Sequence, residues 1–387
     1  MQIISNQRLL IPVLSAGNFA IGMGAFVVIG ILNPIRETFA ISSAQAGWIL
    51  TVYAIAYAVG SPVGVALTGK WPRKTVMLAG MGLFAIAALL SAFASTLETL
   101  LLARVLAAFG AGIFTPVSAG VALACTEPSR HGRSLAQVFF GLTLAQVIGV
   151  PAGSFLGYTY GWPVGFIVVA GLSLLCMVLL VRIVPGALPF QVNTFSTLVD
   201  ALSDWRSTLS VAFTVSFLGA IYVLFTYLSP LLESQMGYGR NGITAVLLAF
   251  GTGAVIGNFL GGKLTDSLGP FQTLRLLCVV QIITLSLFSF LPLPDWLLLV
   301  IVTVWSVFGW SFMVAQQSRL VRQTPRRQNV VLALHAASIY AGVAVGSAIG
   351  GAVINHIGLI ALGAGAAICM LFALFHLVVS ERLAVAV

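Results

Sequence analysis

Apolar residues run along this chain in twelve stretches, each broken off by a short cluster of charges, prolines or glycines. The stretches fall near residues 9–32, 44–68, 75–95, 98–124, 135–158, 162–184, 207–232, 242–262, 272–292, 296–318, 330–354 and 358–380. A helix needs roughly 20 apolar residues to cross a bilayer, so each stretch predicts one membrane-spanning helix. The longest polar segment, Val184 to Arg206, carries Pro185, Pro189, Asn193, Asp200 and Asp204 and parts six spans from six. The expected architecture is an all-α membrane protein with 12 transmembrane helices in two pseudo-symmetric six-helix bundles, residues 1–184 and 207–387, joined by a cytoplasmic linker at 185–206.

Composition narrows the class further. Of 387 residues, 59% are hydrophobic and 7% charged, whereas a soluble domain carries about 25% charged residues. A soluble enzyme is excluded. The net charge of +9 would suit a nucleic-acid partner, but the basic residues sit in short clusters between apolar runs, which is the signature of membrane topology. With both termini in the cytoplasm, that side collects Arg8, Lys70, Arg73, Lys74, Arg130, Arg133, Arg182, Arg206, Lys263, Arg275, Arg319, Arg322, Arg326, Arg327 and Arg382. The opposite loops keep only Arg36 and Arg240. The first apolar run is too long for a signal-peptide core and reads as a retained span. No Cys-x-x-Cys or Cys/His metal spacing and no nucleophile–base pair is found, so no metal site, cofactor or enzymatic activity is expected.

The halves echo each other. Gly64-Val65-Ala66-Leu67-Thr68-Gly69-Lys70-Trp71-Pro72-Arg73-Lys74 joins spans 2 and 3, and Gly262-Lys263-Leu264-Thr265-Asp266-Ser267-Leu268-Gly269 joins spans 8 and 9. Span 5 carries Gly149, Pro151, Gly153 and Gly157, and span 11 carries Gly342, Gly346, Gly350 and Gly351. Glycines four apart share a helix face and let another helix approach closely. Such duplication is how transporters with a site between two repeats are built.

These segments, with Arg104 inside span 4 and the run Trp305…Gln316-Gln317-Ser318…Gly346-Ser347-Ala348-Ile349-Gly350-Gly351, resemble the major facilitator superfamily. Within it the chain looks like the twelve-span drug:proton antiporter group that includes bacterial purine, sugar and drug efflux pumps. The resemblance implies an inner-membrane secondary active transporter that exports a small organic molecule (a drug, a purine or nucleoside, or a sugar-like compound) by alternating access and proton antiport. Multidrug resistance comes with that implication, as do a small-molecule substrate, protons and membrane lipid as partners. A multi-pass protein of a bacterial inner membrane, with cytoplasmic termini, acting as a monomer and without nucleic acid, is expected. Two departures stand out. Gly69 occupies a loop position where the family usually has Asp, and Ala25 stands where many relatives carry a carboxylate in span 1. All nine acids fall in loops or at span ends.

Candidate residues follow from the cost of polarity in lipid. Arg104 lies about 9 Å along its helix past Glu98 at 1.5 Å per residue, too deep for an interface anchor. A charge there costs about 2.5–3.5 kcal/mol. It either faces a central cavity, touching substrate or modulating a titrating group, or ties span 4 to backbone carbonyls of span 1. Asn18 and Ala25 share a face of span 1. Tyr222, Thr226 and Trp310 offer polar atoms among aromatics, and Gln316 and Gln317 close span 10; all are candidates for the substrate cavity. His335, in span 11, is the candidate proton carrier beside Arg104, because histidine titrates near neutrality. Arg73, Lys74 and Asp266 are candidate gate residues, with Asp266 expected to pair with Arg275, Arg319 or Arg322 when the cytoplasmic side closes. Gly149, Pro151, Gly153, Gly157, Gly346 and Gly350 are assigned to helix packing. Two other readings stay open: a uniporter or symporter for a polar or anionic nutrient with Arg104 as anion contact, and a membrane receptor or structural protein that moves nothing.

Overall fold

The computed structural model describes residues 2–127, 130–186, 204–324 and 328–385. Among the described residues twelve helices are long and apolar enough to cross a membrane. Spans 1 to 6 are Leu9–Phe39, Ser43–Leu67, Arg73–Ala92, Leu97–Ala124, Arg133–Tyr160 and Pro163–Ile183. Spans 7 to 12 are Trp205–Met236, Arg240–Leu268, Pro270–Phe290, Asp295–Gln323, Leu334–His356 and Leu359–Leu383. Most of the polar segment between spans 6 and 7 lies outside the described residues, as do Arg326 and Arg327.

Several spans bend where proline removes a donor. A proline inside a helix leaves the carbonyl four residues earlier without its N–H, and in lipid that carbonyl must find another donor. Pro34 releases the Gly30 carbonyl, which accepts from Ser154 Oγ at 2.8 Å. Close by, span 1 kinks at Ile31 (φ −113°, ψ 15°). Pro116 releases the Gly112 carbonyl, which accepts from Ser61 Oγ at 2.7 Å. In span 7, Pro230 lies just past a break between Trp205–Phe225 and Leu228–Met236. Span 5 carries a π-helical turn at Ala145–Gly149, directly before Pro151. Such turns hold one surplus residue. Span 10 breaks at Ser311, whose hydroxyl bonds the Gly257 carbonyl at 2.9 Å.

The glycine ladders face neighbouring spans in parallel ways. Span 5 lies on span 1: a Cβ at Gly149 would sit 3.2 Å from Met23, and one at Gly153 or Gly157 would strike Val27 or Ile31. Span 11 lies on span 7: a Cβ at Gly342 would sit 3.0 Å from Leu218, and one at Gly346 or Gly350 would strike the backbone of Gly219 or Val223.

The first six spans and the last six meet along spans 1, 2 and 5 on one side and 7, 8 and 11 on the other. At the end opposite the chain termini the contacts are dense. Arg36 pairs with Glu233 at 3.3 Å, Ser229 Oγ donates to the Ile29 carbonyl at 2.6 Å, and Arg240 Nη1 donates to Thr159 Oγ1 at 3.2 Å. Somewhat deeper, Thr51 Oγ1 donates to Ser347 Oγ at 2.8 Å and Tyr227 OH to the Ser347 carbonyl at 2.8 Å. Gly47 faces the Tyr227 ring so closely that any Cβ would overlap its hydroxyl. Toward the termini the contacts thin to Asn258 Nδ2 on Thr143 Oγ1 at 3.4 Å.

Candidate functional site

The deepest polar group between the halves is built around span 2. Tyr53 and Tyr57 are four residues apart and therefore share a helix face. Tyr340 of span 11 meets them from the other half, its ring stacked on Tyr57 with centroids 3.6 Å apart and 6.2 Å from that of Tyr53. Against the Tyr53 ring sits the Arg104 guanidinium, 4.4 Å from the centroid. A cation over an aromatic face gains up to about 2 kcal/mol when desolvated.

Arg104 is 1% exposed, so it neither snorkels nor meets lipid. Its Nη1 donates to the Gly24 carbonyl at 2.8 Å and Nη2 to the Ala25 carbonyl at 3.2 Å. The tie to the span 1 backbone is therefore present, and it falls at Ala25, the position where the resemblance implies an acid. Two carbonyl dipoles face the cation in place of a carboxylate. Among the described residues the acids within spans, Glu37, Glu98, Glu233, Asp266, Asp295 and Glu381, all stand near span ends. Two buried polar atoms of this region have no hydrogen-bond partner: Arg104 Nε and Tyr53 OH. A buried polar group left unpaired costs about 1–3 kcal/mol, so such a concentration marks a place where a polar ligand would be stabilised.

The other predicted residues distribute around this group. Asn18 donates to Ser118 Oγ and the Leu14 carbonyl, both at 3.0 Å, which joins span 1 to span 4; its Oδ1 is unpartnered. Tyr222 lies across the interface from Phe26, with ring centroids 6.2 Å apart. Thr226 is buried with Oγ1 unpartnered. Trp310 is half-buried and packs beside Gly257 of span 8.

Gln316 and His335, predicted for separate roles, are brought together. His335 Nδ1 lies 2.9 Å from Thr214 Oγ1, and Gln316 Nε2 donates to that same hydroxyl at 3.3 Å and to the Ser210 carbonyl at 2.9 Å. His335 Nε2 and Gln316 Oε1 remain unpartnered. This second group lies inside the last six spans.

Some expectations need correction. Gln317 is exposed while Gln316 is fully buried, because neighbouring residues of a helix point about 100° apart; the two do not act as a pair. Asp266, expected to pair on closure of the cytoplasmic side, is exposed and makes no ion pair among the described residues in this state, which is closed at the other end. Arg319, one of its expected partners, is claimed by Glu381 at 2.7 Å, from span 12. Arg73 and Lys74 donate within their own half, to the carbonyls of Gly69 at 3.2 Å and Val181 at 2.6 Å. His376 is half-buried between Ser216 Oγ at 2.8 Å and the Leu209 carbonyl at 3.0 Å. Outside the spans, Tyr238 bonds Asp295 at 2.6 Å. Burial first, then that neighbouring carboxylate, pushes its phenol up to about 12.

Sequence reasoning misses the three tyrosines. The signal is there in part, since Tyr53 and Tyr57 stand four apart in a span and their hydroxyls need partners in lipid. Tyr340 carries no such local cue.

Comparison with known proteins gives four further observations. The family model of the Major Facilitator Superfamily matches residues 14–327. The inner membrane transport protein YdhP of Escherichia coli (strain K12) is 31% identical over 348 residues, 88% of this chain and 88% of that protein. A probable sugar efflux transporter of Mannheimia succiniciproducens is 26% identical over 91% of this chain and 88% of that protein. Among solved structures, that of a variant of the nucleoside transporter NupG superposes with a TM-score of 0.79 at 13% identity, covering 97% of this chain and 99% of that one.

Proposed function

The chain belongs to the major facilitator superfamily, and from that premise we propose that it exports a small, neutral or anionic organic molecule across a bacterial inner membrane, by proton-coupled alternating access. The observation that carries this reading is the Tyr53–Tyr57–Tyr340 group with Arg104 against it, contributed by both halves at their boundary. Stacked phenol rings offer a flat apolar wall with hydroxyl groups at its edge, which suits a ring-shaped solute that carries hydrogen-bonding groups. The one buried cation of the group, with no carboxylate at that depth, disfavours a cationic solute. A probable sugar efflux transporter among the relatives agrees with this solute class.

In this reading residues 1–184 and 207–387 are the two moving bodies and 185–206 their linker. The halves are closed at the end opposite the termini. Positive-inside counting assigns the termini to the cytoplasm, so the state described is the one that loads from inside. Rocking breaks the far contacts and forms new ones at the terminus side. Proton antiport falls to His335, whose free Nε2 and Thr214-bonded Nδ1 suit a titrating group that changes partners.

Efflux from proteoliposomes tests the whole. Labelled hexose, nucleoside, organic acid and a cationic dye are offered with and without an inward proton gradient. Saturable efflux of a neutral or anionic solute, accelerated by the gradient and made gradient-independent by His335→Gln, is expected. Flux indifferent to the gradient rejects coupling. Preference for the cationic dye rejects the solute class, and no flux of any solute rejects transport in favour of a receptor.

A further inference from the structure

A second site lies away from the tyrosine group, at the terminus end of the last six spans. The turn between spans 8 and 9 and the ends of spans 10 and 12 enclose a cleft of about 220 Å³, lined among others by Phe271, Gln272, Arg319, Arg322, Gln323 and Glu381. Span 9 enters it by its N-terminus. The helix Pro270–Leu287 has no side-chain cap. Pro270 has no N–H, and the Thr273 N–H returns to the Gly269 carbonyl. The N–H groups of Phe271 and Gln272 therefore have no helix carbonyl behind them. An open helix N-terminus carries about half a positive charge and favours anions.

Independent of the helix, Arg319 points to the same ligand. Its side chain is 1% exposed. Nε bonds Glu381 Oε2 at 2.7 Å and Nη2 bonds Ser380 Oγ at 2.8 Å, but the buried Nη1 has no acceptor. Arg322, exposed one helical turn further on, adds a second guanidinium to the lining. Glu381 is the opposing charge. Its Oε2 is already held by Arg319 and by Gln323 Nε2 at 2.9 Å, which leaves the cleft with an excess of positive charge.

We propose that this cleft binds a phosphate-bearing anion. Its oxygens accept from the Phe271 and Gln272 N–H groups, from Arg319 Nη1 and from Arg322, and the anion ties the turn between spans 8 and 9 to spans 10 and 12. A phospholipid headgroup and free phosphate share this chemistry. Leu268, exposed beside the cleft, would give an acyl chain apolar ground. The site lies within one half and stands apart from the transport reading.

The test is thermal unfolding of the purified full chain in detergent, titrated separately with inorganic phosphate and with short-chain phosphatidylglycerol, against sodium chloride of equal ionic strength. A saturable rise in Tm is expected, with the half-saturating concentration raised about tenfold by Arg322→Gln, the size of one lost charged contact. A response to the phospholipid alone assigns a lipid headgroup, and an equal response to inorganic phosphate assigns the free anion; both uphold the site. A wild-type Tm that neither probe moves beyond sodium chloride overturns it, as does an Arg322→Gln titration that overlays the wild type.

Discussion

The two ends of the molecule are held by different means. At the end away from the termini, contacts cross from one half to the other, and most are neutral and short: a serine on a carbonyl, a tyrosine hydroxyl on a carbonyl, a glycine against a ring. At the terminus end the polar contacts described, Arg319 with Glu381, Lys74 with Val181 and Arg73 with Gly69, each stay inside one half. In the proposed cycle the first kind sets the balance between two states. The second sets the stability of a single body. A substitution at either end therefore predicts a different readout.

The largest separation is expected from Gly47→Val. Tyr227 is buried on every side, so its hydroxyl cannot yield to a side chain at Gly47, and the far end cannot close. Transport in proteoliposomes should fall at least a hundredfold, about 2.7 kcal/mol on the closing equilibrium, while a cysteine placed at Thr51 becomes reactive from the far side. Normal transport would mean that the contact does not govern closure. Next is Glu381→Gln, which leaves Arg319 buried without a counter-charge. Breaking a buried pair costs about 3–5 kcal/mol; because Glu381 is partly exposed, about 2 kcal/mol is expected here. Thermal unfolding should shift down while the ratio of inward to outward accessibility stays put, and a changed ratio would join the two ends into one system.

Arg104→Lys should fall close behind. A lysine keeps the charge but cannot reach both the Gly24 and Ala25 carbonyls, so one charged hydrogen bond of about 1.5–3 kcal/mol is lost. Both stability and transport should drop, and a loss of transport alone would assign Arg104 to the solute rather than to the helix tie. Tyr340→Leu should raise KM about tenfold, with Tyr340→Phe near wild type, since stacked aromatic pairs contribute about 0.5–1.5 kcal/mol. The smallest effect is expected for Arg36→Gln. That ion pair is about a third exposed on both sides, where such pairs contribute at most about 1 kcal/mol. Accessibility should move toward the far-open state by less than fivefold.

Much of the scaffold is legible in the sequence. Apolar run length suffices for twelve spans, because a bilayer imposes a length that no loop can imitate, and the four-residue glycine spacing is enough to predict close helix packing. Arg104 is legible as buried for the same reason: lipid makes a deep charge conspicuous. What escapes is everything decided by which span meets which across the boundary. Tyr340 gains its meaning only from standing opposite Tyr57, and nothing in the residues around it says so. The Arg319–Glu381 pair escapes too, because sequence shows that basic residues are near a turn, not which carboxylate reaches Arg319 in this state. The breaks are half legible. Pro34 and Pro116 announce freed carbonyls, but the serines that take up the task, Ser154 and Ser61, belong to other helices.

The π-helical turn of span 5 carries a consequence for phase. A helix that stores one extra residue can hand it along its length, and every residue on one side of the moving bulge then rotates by about 100° relative to the other. With the bulge moved, residues 131–144 would turn relative to Gly153 and Gly157, and Gly141, where a Cβ would strike the Ser15 carbonyl, would have to leave its seat on span 1. Excising one residue from 145–149 would remove that freedom and lock the two parts of the helix into a single orientation.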